Sequence, residues 1–591
     1  MNRRYTAAQI AKQIEDEASD EEDHLSNGEA SDSEDDFVPV LFDIDNDSED
    51  DYISDADSND DEPAYSKRVV YKAKDGTEWS NEAPRPATYR KANTVRTRSG
   101  LTPLTRNLTE PEEFFRFLFR EMTAESIACH TNNRIEQDGN QVRRSHEYID
   151  NDVTKDEVYA YCGTLLLLGV LRKRNIDTID LWKSDSDNIH RVHQIVTTFS
   201  RERFRLLSRY LTFDDINSRK ERAKNDRKYF KMSDVFYSFA SQTKLAYEPG
   251  SHLCVDECLY SFRGRCSFVQ YLPNKPAKYG LKFWIICDCD TRIILNIISY
   301  VGKEGDTIQR GLARSVVMKL SRSFANAWRN ITTDNYYTSV ALADELWDNQ
   351  FTLLGTLKRN SRGIPENAKQ VTGREPSTTK FYFNGKLSVV SYCPKRNKVV
   401  LLLSTQHHDN AIDKHSKKPD MIECYNSTKG TVDCNDQAIG YYSARRKTHR
   451  WTMRTFHFII DAAALNAYRL YRQAHNTSYL RENLGGRSTA WRRVFIEKLS
   501  EQLMTATRKS RFCELQNSQC SGAVAQAPFE TVSAFVAFTE KKLRFNHLQE
   551  HHSDARSVVA LATERSRQFV VNAGSRLVPS TANCYAIDID H

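Results

Sequence analysis

The run SHLCVDECLYSF, residues 251–262, sets Asp256 inside an alternating apolar stretch. Such alternation reads as a half-buried strand, and a carboxylate there is costly unless it is paired or bound to a cation. Further acids stand in comparable places. Asp334 follows the run NITT and opens a TDN turn, while Asp433 and Asp436 lie i, i+3 in the helix-forming segment TVDCNDQAIG, so both face one way. Taken singly, Asp334 reads as a turn cap, and the helical pair reads as a solvated face or a partner for the helix dipole. Taken together, two neighbouring strands and a helix packed on them can gather these acids. Carboxylates so gathered suit two Mg²⁺ or Mn²⁺ ions, which need no His or Cys. Such ions would activate a water or a 3′-OH and stabilise the leaving oxygen in phosphodiester chemistry.

The period of the apolar pattern sorts the rest of the chain. Residues 1–105 read as a disordered tail, acidic from Asp16 to Glu62 and then basic and polar over 66–99. Over 106–250 apolar residues recur at helical spacing. Thr109 with Glu112, and Thr154 with Glu157, read as capping boxes, with Pro111 in the first turn. Residues 251–360 alternate strand-like and helix-like runs, the signature of an α/β layer. The stretch 361–425 reads as a β-rich insertion, its strands KFYFNGKLSVVSYCP and KVVLLLST separated by a turn at KRNK. Helical character returns at 426–455 and continues over 456–545, and 546–591 reads as a C-terminal tail.

The composition excludes several classes. The apolar run from Thr164 to Leu171 is far short of a membrane span, and no signal peptide is expected, so no membrane partner is expected. The 13 cysteines are scattered singly, which suits free thiols better than a disulfide framework. The net charge of +5 conceals an asymmetry: residues 1–63 carry 23 Asp/Glu against 3 Lys/Arg, leaving +25 on the remainder. A body so basic attracts polyanions, although charge for solubility alone is the plain alternative.

Three strings then carry a resemblance. VDECLYSFRGRCSFVQYLPNKPAKYGLK (255–282), RNITTDNYYTSVALADEL and YNSTKGTVDCNDQAIGYYSARRKTHRW (425–451) resemble the catalytic blocks of piggyBac-type DNA transposases. The likeness runs from about residue 110 to about 475. It implies a ribonuclease H-like core split by an insertion domain and flanked by a mainly helical dimerisation and DNA-binding domain, built from segments before and after the core. It implies Asp256, Asp334 and Asp433 as catalytic metal-binding acids, Asp436 as a fourth supporting acid, and Trp451 as an aromatic near the DNA. The chemistry implied is nicking at element ends, attack of the freed 3′-OH to give a hairpin, and insertion at TTAA. A homodimer acting on double-stranded DNA in the nucleus is the corresponding expectation.

Basic residues flank these blocks: Arg263, Arg265, Lys275, Lys278 and Lys282 around the first, and Arg445, Arg446, Lys447 and Arg450 after the third. They are candidates for phosphate contact, and basic groups beside Trp451 suit stacking on a splayed base. One departure from the family stands out. The last 90 residues hold Cys513, Cys520 and Cys584 with no C-x₂-C pair, so no zinc module is expected there. The first reading is an active cut-and-paste transposase. The second is a domesticated, transposase-derived DNA- or chromatin-binding protein without transposition activity, and a structure-specific nuclease is a weaker third. The acidic tail should shield the basic body from non-specific DNA. Removing residues 1–63 should therefore tighten binding to random-sequence duplex in a salt titration; unchanged binding would refute the shielding.

Overall fold

The computed structural model describes residues 69–84, 95, 97–138, 151–184, 188–225, 228–273, 275–302 and 311–520. The helical region opens with α1 (Pro111–Leu118), α2 (Glu121–Gln137) and α3 (Lys155–Val170), and closes after several short helices with α4 (Ser233–Ala246). Thr154 and Glu157 cap α3 reciprocally, at 3.3 and 3.2 Å. The expected box at Thr109 and Glu112 is shifted by one residue. Glu113 accepts from the backbone N–H of Thr109 at 2.7 Å and of Glu110 at 3.0 Å, while Glu112 pairs with Arg116 at 2.6 Å. The reason is reach: with Pro111 opening the helix, Glu113 is the acid that can fold back over its free N–H groups.

The sheet forms where the period changes. Its strands are β1 (Val70–Lys72) and β2 (Glu78–Ser80), then β5 (His252–Ser261), β6 (Gln270–Tyr271), β7 (Tyr279–Asp288), β8 (Ile294–Ser299), β9 (Arg329–Thr333), β10 (Phe351–Thr356), β11 (Thr378–Asn384), β12 (Leu387–Cys393) and β13 (Val400–Ser404). β3 (Gly100–Leu101) and β4 (Tyr247–Glu248) make a separate small pair. The large sheet runs β1-β2-β11-β12-β13-β10-β9-β5-β7-β6, with β8 also on β7. β5, β7 and β8 are antiparallel, whereas β9 is parallel to β5 and β10 is parallel to β9. Parallel neighbours need crossovers, supplied between β8 and β9 by α5 (Leu312–Ser321) and between β9 and β10 by α6 (Val340–Asp348). This is a mixed α/β fold built on a large mixed sheet.

Two expectations are refined here. The β-rich stretch expected over 361–425 supplies strands that continue the central sheet: β13 pairs antiparallel with β10, and β12 and β11 extend the same surface. β11 and β12 are joined by the two-residue loop Gly385-Lys386, with Gly385 at φ 54°, the left-handed geometry a tight hairpin requires. The tail expected over 1–105 is also interrupted. β1 and β2 form a hairpin added to β11, because the stretch carries apolar side chains worth burying. Trp79 is 1% exposed and its Nε1 donates to Gly363 O at 2.9 Å. Tyr71 packs edge-on against Tyr382. The acidic stretch to Glu62 and the tail at 546–591 lie outside the described residues.

After the sheet come α7 (Asp420–Lys429), α8 (Thr431–Tyr441), α9 (Trp451–Ala474) and α10 (Trp491–Cys520). α9 is buried along most of its length, and its Phe458 ring stacks on Phe283 of β7 at 4.0 Å. Segments before and after the sheet meet through glycines: a Cβ on Gly163 of α3 would stand 2.8 Å from Ser500 O, and one on Gly169 2.7 Å from Ser443 O.

Gly355 has the same role beside β9. A Cβ there would stand 2.6 Å from Thr333 O and collide with the Thr338 hydroxyl, which itself bonds Asp334 O at 2.7 Å. Gly355→Ala should therefore lower stability by about 1–3 kcal/mol through overpacking, read as a lower urea midpoint. An unchanged midpoint would mean that the turn at Asp334 yields freely.

Candidate active site

Register places the first two acids. In the parallel pair β5–β9, Val255 stands opposite Thr333. Asp256 and Asp334 each follow by one residue, so they sit side by side, Asp256 midway along β5 and Asp334 just past the end of β9. Asp334 is the first residue past β9, and its Oδ1 accepts the Tyr336 N–H at 2.9 Å, an Asx turn that leads the chain away from the sheet. α8 supplies the other two acids. It is pinned by Val432 and Asn435, both fully buried, and the Asn435 amide donates to Arg292 O at 3.1 Å. That anchorage leaves Asp433 exposed and Asp436 half-buried, one turn apart. All four acids line one cleft of about 1730 Å³.

Crowding governs their charge. Burial, then Glu257, Asp433 and Asp334, push the Asp256 carboxyl well above the usual range, with Lys275 opposing. Burial raises Asp334 against the N–H of Tyr336, and Glu257 adds to the rise. Asp436 is pushed up to about 7, chiefly by burial, with Lys275 opposing. Burial disfavours a charged Lys275, but Asp256, Asp433 and Asp436 outweigh it and hold its ammonium above the ordinary value. Carboxylates raised by burial and mutual repulsion are groups that a cation would relieve. Asp436 Oδ1 is moreover buried with no hydrogen-bond partner. The acids thus have the chemistry of a divalent-cation site. Yet among the described residues no three His, Cys, Asp or Glu side chains are close enough to hold a metal ion as they stand. Lys275 Nζ instead donates to Asp433 Oδ1 at 2.8 Å and to Glu257 O at 3.0 Å.

The basic candidates divide. Arg263, Lys275, Lys278 and Arg445 line the cleft with the acids. Arg265 and Lys447 are exposed and stand outside that lining. Lys282 lies 3.5 Å from Glu257 Oε2, near the rings of Tyr336 and Trp284. Three of the candidates are engaged within the protein. The Arg446 guanidinium donates to Ile176 O at 3.0 Å, and that of Arg450 donates to the carbonyls of Arg209, at 2.7 Å, and Leu211. Trp451 stacks on Tyr229, with ring centroids 5.7 Å apart, and meets Phe268 edge-on. These side chains tie the segment after α8 to the helices before the sheet, because chain ends brought together there leave carbonyls that need donors.

Sequence reasoning missed one structural acid. Asp461 of α9, 4% exposed, accepts from Tyr260 OH and Ser443 Oγ at 2.6 Å each and from the Ala444 N–H at 2.7 Å. It knots the end of β5 to the chain leaving α8. The signal was available: an aspartate in the middle of the apolar helix FHFIIDAAALN needs partners. Glu257 and Tyr337 were also unassigned; the Tyr337 hydroxyl lies 3.3 Å from Glu257 Oε2.

Comparisons with known proteins converge on one family. Residues 110–468 match the Transposase IS4 family. Human piggyBac transposable element-derived protein 3 is 23% identical over 456 residues, 71% of this chain and 73% of that protein. Human piggyBac transposable element-derived protein 2 is 23% identical over 392 residues, 61% of each. Among solved structures, the piggyBac transposase in a synaptic complex with hairpin DNA is similar at a TM-score of 0.63 and 32% identity, covering 73% of this chain and 89% of that one.

The Asp461 knot is open to a direct check. Asp461→Ala removes the acceptor shared by three buried donors, of which Tyr260 OH and Ser443 Oγ, 3.3 Å apart, keep only each other, so stability should fall by about 2–4 kcal/mol. Asp461→Asn, which retains one acceptor oxygen, should lose less. Equal urea midpoints for wild type and Asp461→Ala would show that the knot holds nothing.

Proposed function

This chain belongs to the piggyBac-like Transposase IS4 family, and from that premise we propose that it is a metal-dependent cut-and-paste DNA transposase. The observation that carries the reading is the matched position of Asp256 and Asp334 on adjacent parallel strands, with Asp433 and Asp436 facing them from α8. On this reading Asp256, Asp334 and Asp433 would hold two Mg²⁺ or Mn²⁺ ions with Asp436 in support, and the chemistry so supplied would be polarisation of the scissile phosphate and a lower pKa for the attacking water or 3′-OH. The protein's part is to fix the acids on rigid elements and to line the approach with cations. Arg263, Lys278 and Arg445 contact phosphates along the cleft, which makes binding fall with salt. The antiparallel β8-β7-β5 followed by parallel β9 and β10 supports a ribonuclease H-like core.

The remaining steps follow the family pattern: cleavage at element ends, a hairpin intermediate and insertion at TTAA, by a homodimer in the nucleus on double-stranded DNA. A second reading is a domesticated DNA- or chromatin-binding protein without transposition activity. A plasmid carrying the gene's own genomic flanks separates the two. Excision by wild type but not by Asp334→Asn, with DNA binding retained by both, supports the transposase. No excision with DNA binding intact supports the domesticated protein. Asp436→Asn should impair cleavage less than Asp433→Asn, and the reverse order would revise the roles assigned to the pair.

A further inference from the structure

Lys275 was a candidate for phosphate contact, but its ammonium is turned inward. It stands between β6 and β7, in a segment closed by backbone bonds from Leu272 N to Lys278 O at 2.8 Å, Lys275 N to Leu272 O at 3.1 Å and Lys278 N to Lys275 O at 3.0 Å. Lys278 takes a left-handed φ of 39° to complete that closure, a conformation rarely adopted without tertiary support. The lysine is therefore aimed by its backbone. Two of its three donors are committed, to Asp433 Oδ1 at 2.8 Å and Glu257 O at 3.0 Å. Its side chain is 19% exposed, against 62% for that of Asp433.

An ammonium and a divalent cation are alternative partners for the same carboxylate oxygen. We propose that Lys275 is a built-in counter-cation: it holds the acid cluster together in the metal-free protein and competes with the divalent ion for Asp433. Metal entry then requires the Lys275–Asp433 pair to open, which releases the ammonium into the cleft. Lys275 is a positioning residue in this scheme, since it acts through Asp433. The proposal rests on the metal-site reading above, and its test separates the two.

Mn²⁺ binding to the full chain, without DNA, is measured by calorimetry for wild type, Asp334→Asn, Lys275→Met and Lys275→Gln. Removing the competitor should tighten Mn²⁺ binding roughly two- to fivefold, the range expected for a partly exposed ion pair. Asp334→Asn should weaken it. Wild-type binding lost in Asp334→Asn, with both Lys275 variants equal to or weaker than wild type, overturns the counter-cation and leaves the metal site standing. No Mn²⁺ binding by wild type or by the Lys275 variants overturns both. Melting supplies a second readout, with Lys275→Gln in use should Lys275→Met fail to fold. The variant should melt below wild type in EDTA, and saturating Mn²⁺ should close the gap. A deficit of the same size in EDTA and in Mn²⁺ identifies a merely structural lysine and refutes the proposal.

Discussion

The parallel pairing of β5 with β9, at Val255 against Thr333, is the constraint that the rest of the structure serves. It sets Asp256, midway along β5, beside Asp334, just past the end of β9, where like charges disfavour one another's ionised form. The neighbouring elements keep the chain from relaxing that arrangement. β10, parallel to β9, offers Gly355 at the point where any side chain would strike Thr333 or Thr338. The Asx turn at Asp334 then directs the chain into α6. On the other side, buried Val432 and Asn435 fix the rotation of α8, and with it the facing of Asp433 and Asp436. Lys275, paired with Asp433, offsets the crowded acids within the protein.

Behind the acids lies a layer of buried polar contacts that does no chemistry. Asp461 joins β5 to the chain leaving α8. Arg446 and Arg450 carry that chain across to carbonyls of the helices before the sheet. Buried ionic groups of this kind are expensive to dehydrate and are tolerated where their hydrogen bonds are met. Here they make the helical region and the sheet register one against the other. The cleft's position therefore depends on residues far apart in sequence.

The legibility of the chain followed the range of the interactions. Strands β5, β7, β8, β9 and β10 and helix α3 were readable because apolar period and capping are local properties. The acids were conspicuous for the same reason: a carboxylate in an apolar run is a local anomaly. The box at Thr109 and Glu112 was misplaced by one residue because several acids in that turn had equal claims. The hairpin around Trp79 was hidden because a few apolar residues in a basic stretch reveal no partner until β11 supplies one. The internal partners of Arg446, Arg450 and Trp451 had no local mark, because a cluster of bases beside an acid block does not show which carbonyls or rings it will meet.

The sequence by itself determined the element types, the family likeness, the polarity of tail and body, and which acids needed an explanation, since each of these is written in neighbouring residues. Only the tertiary structure decided that β11, β12 and β13 continue the central sheet, that Asp256 and Asp334 share a register, and that Lys275 turns into the cluster while Arg446 and Arg450 bind carbonyls. Strand order and the direction of a long side chain are set by partners far along the chain, and the free energy that chooses among them exists only once those partners meet.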